Sequence, residues 1–347
     1  MKAIILAEGH LSKRSAKTTH GLLRISRKYD ILGVVDSTYG KDSTEGLVER
    51  GKTVPVFHSV KDAFEKTGAE YMIIGVAPAG GRLPENMRAS VKTALSLGIN
   101  VVSGLHEFLS EDPELMEIAE KSGADIKDIR KSPPLHELKS FSNLAEKIEV
   151  PRVPVLGTDS SIGKRTTAWY LVDALRERGL NAVMVATGQT GLLQGADYGI
   201  PLDAIQGDYM VGMLEWEIYR AYRDGAEVIV VEGQGALSHP AYVCGSRAIL
   251  SASQPEYVLL QHAPGRKERG YHREELHLPM PDVEYEMKLI KDFSGADVIA
   301  ISINNEGLES EEEERIKNEY ERKFGIPAFN PLKDGMEKGV EAILSRI

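Results

Sequence analysis

The chain has 347 residues, 42% hydrophobic and 27% charged, and carries a formal net charge of -10. It is too long for one ordinary core and suits two, and an acidic balance with no polybasic tail speaks against a nucleic-acid-binding surface. The single cysteine, Cys244, excludes an internal disulfide and a cysteine-built zinc site, fits a reducing cytoplasm, and reads as a small core residue.

The start, MKAIILAEGHL, meets charge and Gly9 at once, so it reads as neither a signal peptide nor a membrane span. No apolar stretch elsewhere reaches bilayer length. The expectation is a cytoplasmic protein that engages neither membrane nor nucleic acid.

In the first half, the apolar runs KAIILA, ILGVVDS, EYMIIGVAP and INVVSGL alternate with amphipathic stretches such as SVKDAFEKTG and LPENMRASVKTALSLG. Strands and helices in alternation predict a parallel sheet with helices on both faces, a Rossmann-like domain. Pro84 marks a helix start and Gly98 a helix end. Asp36 closes the second strand as a ribose-binding acid would, yet the turn EGHLSKRSAKTTHG lacks the G-x-G-x-x-G pattern, so no dinucleotide is expected there. Pro133, Pro134, Pro151 and Pro154 interrupt any long element. The predicted organisation is a first domain over residues 1–140, a linker over 141–152 and a second domain over 153–347.

The second half restarts the alternation with VPVLG, LNAVMVATG, AEVIVVEGQGAL, PEYVLLQHAPG and ADVIAISINNEG. These nearly continuous apolar runs predict strands buried on both faces, with ligands collecting at their carboxyl ends. The first such end, GTDSSIGKRTT, has the form of a phosphate loop of a P-loop NTPase-like domain. Gly157 and Gly163 bound it, five residues apart instead of the usual four. Ser160 and Ser161 lie within it, Lys164 supplies a point charge, and a helix N-terminus follows. Magnesium-nucleotide chemistry wants a hydroxyl directly after that lysine and an acid on a neighbouring strand. Arg165 stands in the hydroxyl's place, leaving Thr166 or Thr167 to substitute and Glu232 to serve as the acid. Arg165 itself reads either as a grip on a phosphate held without magnesium, as in coenzyme A, or as cover for the helix surface.

Three other stretches carry candidate chemistry. ATGQTG places Gln189 and Thr190 where they offer hydrogen bonds to a small ligand, and Asp203 and Asp208 beyond it read as helix-start residues or as partners for a substrate amine. EGQGALSHP places Glu232 and His239 at a strand end as acid/base candidates, or as a structural carboxylate and a surface histidine. QHAPGRKERGYHR gathers His262, Arg266, Lys267, Arg269, His272 and Arg273. Such a reversal of sign in an acidic chain fits an anionic ligand or a solvated face. The spacing of His262, His272 and His277 matches no metal-ligand pattern, so no metal is expected.

GTDSSIGKRTT, ATGQTG, VVEGQGALSHPAY and HAPGR, with GVAPAGGRLP and VVSGLHEFL in the first half, carry a resemblance. The P-loop half resembles dethiobiotin synthetase, and the whole chain is similar to the family whose characterised member is a D-glutamate N-acetyltransferase. That resemblance implies a Rossmann-like domain followed by a P-loop domain, homo-oligomerisation, and acetyl transfer from acetyl-CoA to the amine of an acidic amino acid. On this reading Glu232 or His239 removes the amine's proton and N–H groups near Gly188 and Gly235 hold the oxyanion. The loop from Gly157 through Thr166 holds CoA phosphate, while Gln189, Thr190, Asp208, Arg266 and Arg269 meet the substrate. Two rivals stay open: an ATP- and magnesium-dependent ligase or kinase of the dethiobiotin synthetase type, and a non-catalytic protein that binds nucleotide or CoA and regulates.

Overall fold

Ala3, Ile4, Ile5 and Leu6 are all fully buried, the pattern of a strand covered on both faces. In the computed structural model, which describes residues 1–270 and 276–346, they belong to β1 (Lys2–Leu6). There follow α1 (Lys17–Arg24), β2 (Asp30–Val35), β3 (Val56–Phe57), α2 (Val60–Thr67), β4 (Tyr71–Ile74), α3 (Glu85–Ser96), β5 (Asn100–Ser103), α4 (Pro113–Ser122) and β6 (Ile126–Asp128). The strand order is β3-β2-β1-β4-β5-β6 and every pairing is parallel, the doubly wound Rossmann order. α3 starts directly after Pro84, and the chain turns beyond it at Gly98.

Asp36 follows β2, but both its oxygens are engaged. Oδ1 accepts from the N–H groups of Gly9 and Thr38 (3.0 Å each) and the Thr38 hydroxyl (2.8 Å), and Oδ2 accepts from Leu11 N–H (3.0 Å). The carboxylate therefore ties down the turn after β1 where a dinucleotide enzyme would hold a ribose.

The second sheet is built from β7 (Arg152–Gly157), α5 (Lys164–Glu177), β8 (Ala182–Ala186), α6 (Gln189–Gln194), β9 (Tyr198–Gly199), α7 (Gly207–Arg223), β10 (Val228–Glu232), α8 (Val243–Ser253), β11 (Tyr257–His262), α9 (Val283–Ser294), β12 (Asp297–Ile303), α10 (Ser310–Phe324), β13 (Ala328–Phe329) and α11 (Glu337–Leu344). Its order is β13-β12-β11-β7-β10-β8-β9, again parallel throughout. β7 lies at the centre, flanked by β11 and β10, so the loops leaving these three strands share one end of the sheet. Cys244 is exposed in the first turn of α8 rather than in the core.

The chain divides into one unit of residues 1–132 with 189–195, and a second of 133–188 with 196–347. Residues 141–152 therefore fall in the second unit. The buried Glu215 on α7 explains this, because its carboxylate accepts from the N–H groups of Ser142 and Leu144. α6 joins the first unit through buried hydrogen bonds: Gln189 Nε2 donates to the Thr18 hydroxyl (2.7 Å) and Gln194 Nε2 to Gly21 O (2.8 Å). Thr18 lies in the first turn of α1, where a pyrophosphate would rest in a dinucleotide-binding relative of this fold.

Candidate active site

Between β7 and α5 the chain must wrap back on itself, and two residues there take left-handed backbone, Ser161 (φ 54°) and Gly163 (φ 108°). A φ of 108° is open to glycine and strained for any side chain. Lys164 then enters α5 almost wholly buried, 6% exposed, and donates to Asp159 O and to Gly235 O (3.0 Å). Burial lowers its pKa to about 8, against the opposing pull of Asp159, Glu286 and Glu232. Gly235 comes close because it too is left-handed (φ 56°), and an added Cβ would lie 2.0 Å from Tyr242 O.

Glu232, the last residue of β10, is buried. Its Oε2 accepts from the N–H groups of Thr187 (3.0 Å) and Gly188 (3.2 Å), and Oε1 lies 3.9 Å from Arg165 Nη1. Burial raises its pKa, although Arg165, these N–H groups and Lys164 oppose the rise. A raised pKa makes this carboxylate a stronger proton acceptor than an exposed one. Of the N–H groups in the loop around Gly188, those of Thr187 and Gly188 are directed at Glu232.

His239 is fully buried, and its Nδ1 accepts from the N–H groups of Ala241 (3.0 Å) and Tyr242 (3.1 Å). In the neutral ring the proton therefore resides on Nε2, 3.7 Å from Asp159 Oδ1. Burial also lowers its pKa, with Asp159 opposing and Arg269 and Lys164 adding to the effect. In that tautomer the Nδ1 lone pair is engaged by backbone and Nε2 carries the hydrogen.

Asp159, in the middle of the phosphate loop, is a buried carboxylate that sequence reasoning passed over. It is wholly buried, and its Oδ2 accepts from Arg266 Nη1 (3.0 Å) and Gly270 N–H (2.7 Å). Arg266 is a strut of this loop. It also donates to Ser160 O, Ser161 O and Glu306, which engages its whole guanidinium. Arg269 differs, since Nε and Nη2 reach Pro279 O and the Ser238 hydroxyl while Nη1 has no hydrogen-bond partner among the described residues. Glu286 on α9 accepts from the N–H groups of Leu237 (2.6 Å) and Ser238 (3.2 Å), holding the loop after β10 in place.

The other candidate residues take the following places. Gln189 and Thr190 are buried with Thr18 in the first unit (2.8 Å between Gln189 Nε2 and Thr190 Oγ1). Asp208 is exposed in the first turn of α7, where a negative charge complements the helix N-terminus. Ser160 donates to Gly270 O (2.9 Å) and Ser161 is exposed. Gly157 closes β7, paired with Gln261. Thr166 lies half-buried in the first turn of α5, and the Thr167 hydroxyl is given to Gln261 Oε1 (2.6 Å). His262 is buried against the Thr158 hydroxyl (2.8 Å), its pKa lowered by burial to about 4, and His277 is exposed beside Glu268. His272 and Arg273 lie outside the described residues. Among the described residues no cluster of histidine, cysteine, aspartate or glutamate could hold a metal ion, and no helix is long and apolar enough to cross a membrane.

Residues 139–340 match a family described as "Domain of unknown function (DUF1611_C) P-loop domain", and residues 36–132 match its DUF1611_N Rossmann-like domain. Over 318 residues the chain is 31% identical to a D-glutamate N-acetyltransferase of Tritonibacter scottomollicae, covering 89% of this chain and 90% of that one. A D-glutamate N-acetyltransferase of Pseudoalteromonas sp is 32% identical over 279 residues, 78% of this chain and 80% of that one. The crystal structure of a DUF1611 family protein from Anabaena variabilis is similar over 99% of both chains, with a TM-score of 0.91 and 29% identity.

Proposed function

This chain belongs to the DUF1611 family, and from that membership and the geometry above we propose that it is an acetyl-CoA-dependent N-acetyltransferase acting on the amine of D-glutamate. Two relatives named for that activity support the reaction class. The observation that carries the reading is Glu232, a buried carboxylate with raised pKa at the end of β10, facing Arg165 on the helix that follows the phosphate loop. A proton acceptor thus stands beside an anion grip.

An ammonium has no lone pair, so Glu232 first takes a proton from it. The amine nitrogen then bonds to the acetyl carbon, the carbon–sulfur bond breaks, and the departing thiolate takes up the second proton released from nitrogen. Lys164 and the N–H groups of the loop hold CoA phosphate and fix the thioester against the amine. A magnesium ion on Glu232 would have to share the carboxylate with Arg165, and the Thr167 hydroxyl is already committed to Gln261, which favours a phosphate held without metal.

The test is thiol release from acetyl-CoA by the purified protein, with mass spectrometry of the product, using D-glutamate, L-glutamate and no acceptor. D-Glutamate-dependent release, with kcat reduced roughly 10²- to 10⁴-fold in Glu232→Gln, is the expected result. Magnesium-dependent ATP turnover with no acetyl transfer would replace this reading with the ligase or kinase.

A further inference from the structure

Asp159 Oδ1 and Arg269 Nη1 are buried and have no hydrogen-bond partner among the described residues. Charged atoms left in that condition are costly, and in a native fold they ask for a ligand. Neither is free to swing away to another partner. Asp159 is fixed through Oδ2 by Arg266 and Gly270 N–H, and Arg269 through Nε and Nη2 by Pro279 O (3.2 Å) and the Ser238 hydroxyl (3.0 Å).

The two belong to one corner of the second unit. Gly270, whose N–H meets Asp159, follows Arg269 in the chain, and Ser238, which meets Arg269, precedes His239. His239 Nε2 stands 3.7 Å from Asp159 Oδ1, too far for a hydrogen bond. One fixed anionic acceptor and one fixed cationic donor complement a molecule that carries an ammonium and a carboxylate side by side.

We propose that Asp159 Oδ1 and Arg269 Nη1 form the subsite for the ammonium and α-carboxylate of the acceptor, so that this enzyme requires an α-amino acid and not merely an amine. This rests on the N-acetyltransferase reading and extends it. Asp159 takes one ammonium N–H and leaves the others for the proton transfer to Glu232.

The experiment is calorimetric titration of wild type, Asp159→Asn and Arg269→Gln with D-glutamate, glutarate, which lacks the amine, and 4-aminobutyrate, which lacks the α-carboxylate. Acetyl-CoA titration, unfolding temperature and steady-state kinetics accompany it. Asparagine keeps an oxygen for Arg266 and Gly270 N–H and turns an NH2 toward the ligand, so the loop stays built while its acceptor is inverted. We expect Asp159→Asn to weaken D-glutamate roughly 10- to 100-fold, the worth of a hydrogen bond to a charged group, and to leave glutarate unchanged. Arg269→Gln should weaken D-glutamate and glutarate and leave 4-aminobutyrate unchanged, while acetyl-CoA binds all three proteins alike. A wild type that acetylates D-glutamate while both variants bind it normally overturns the subsite and leaves the function standing. Joint loss of acetyl-CoA binding and thermal stability makes the pair structural and also overturns it. A wild type that neither binds nor acetylates D-glutamate overturns the function and the subsite together.

Discussion

Lys164→Met isolates the electrostatic strain stored under the phosphate loop. The lysine's pKa falls from an ordinary 10.5 to about 8 because burial disfavours its charged form, which corresponds to about 3 kcal/mol at roughly 1.4 kcal/mol per tenfold change in proton affinity. Above the unfolded value of 10.5 both states are neutral and the contribution to stability is fully present. As pH falls toward 8 the unfolded chain takes up a proton that the folded protein refuses, and stability is lost. Below 8 the loss is complete. Methionine removes the titration and leaves Asp159 O and Gly235 O without their donor at every pH, a constant cost that cancels when two pH values are compared. The stability of the variant relative to wild type should therefore be more favourable at pH 7 than at pH 10, by most of about 3 kcal/mol. Urea unfolding followed by tryptophan fluorescence measures it, since both tryptophans, Trp169 on α5 and Trp216 on α7, lie in the second unit. Parallel pH profiles for the two proteins would refute the claim that Lys164 is held at a depressed pKa.

Asp36→Asn should cost about 1–3 kcal/mol at neutral pH. Burial works against this carboxylate, but the donors of Gly9, Thr38 and Leu11 outweigh it and hold its pKa below the ordinary value. The difference from wild type should fade as pH falls through the depressed folded value, which acid titration of circular dichroism reads. Gly235→Ala pushes a Cβ to 2.0 Å from Tyr242 O at a left-handed position and should cost about 2–4 kcal/mol in urea unfolding; a loss inside error would mean the loop repacks freely. Thr18→Val leaves the Gln189 amide short of its acceptor, so hydrogen exchange across residues 189–194 should accelerate while exchange in β4 and β5 stays slow.

Much of this was legible in the sequence for identifiable physical reasons. Strands buried on both faces leave continuous apolar runs, so both sheets could be read, and Gly163–Lys164 at a strand-to-helix junction marks the P-loop domain. Two- and three-residue strands such as β3, β6, β9 and β13 carry no periodic signal and went unread. Asp159 was in plain view but a carboxylate in a phosphate loop opposes the expected ligand; the available signal was its charge complement, Arg266, after β11. That Arg266 is spent on Ser160 O and Ser161 O depends on backbone carbonyls, to which a sequence gives no address. The same holds for the tautomer of His239, set by two N–H groups, and for α6, whose glutamines pair with residues more than 170 positions away.

Charge balance around the loop bears on which phosphate it suits. A triphosphate grip concentrates unopposed positive charge and relies on magnesium to offset the rest. Here the cations stand among carboxylates: Lys164 feels Asp159, Glu286 and Glu232, Arg165 faces Glu232, and Arg266 is paired with Asp159 and Glu306. Arg269 feels Glu286 and Asp159 in turn. Such interleaving would repel a compact polyanion wherever it met an acid, whereas a ligand that brings separate phosphate, ammonium and carboxylate groups finds an opposite charge for each. The proposed function accounts for these acidic residues, since it asks the loop to grip one partner by phosphate and another by a zwitterionic end.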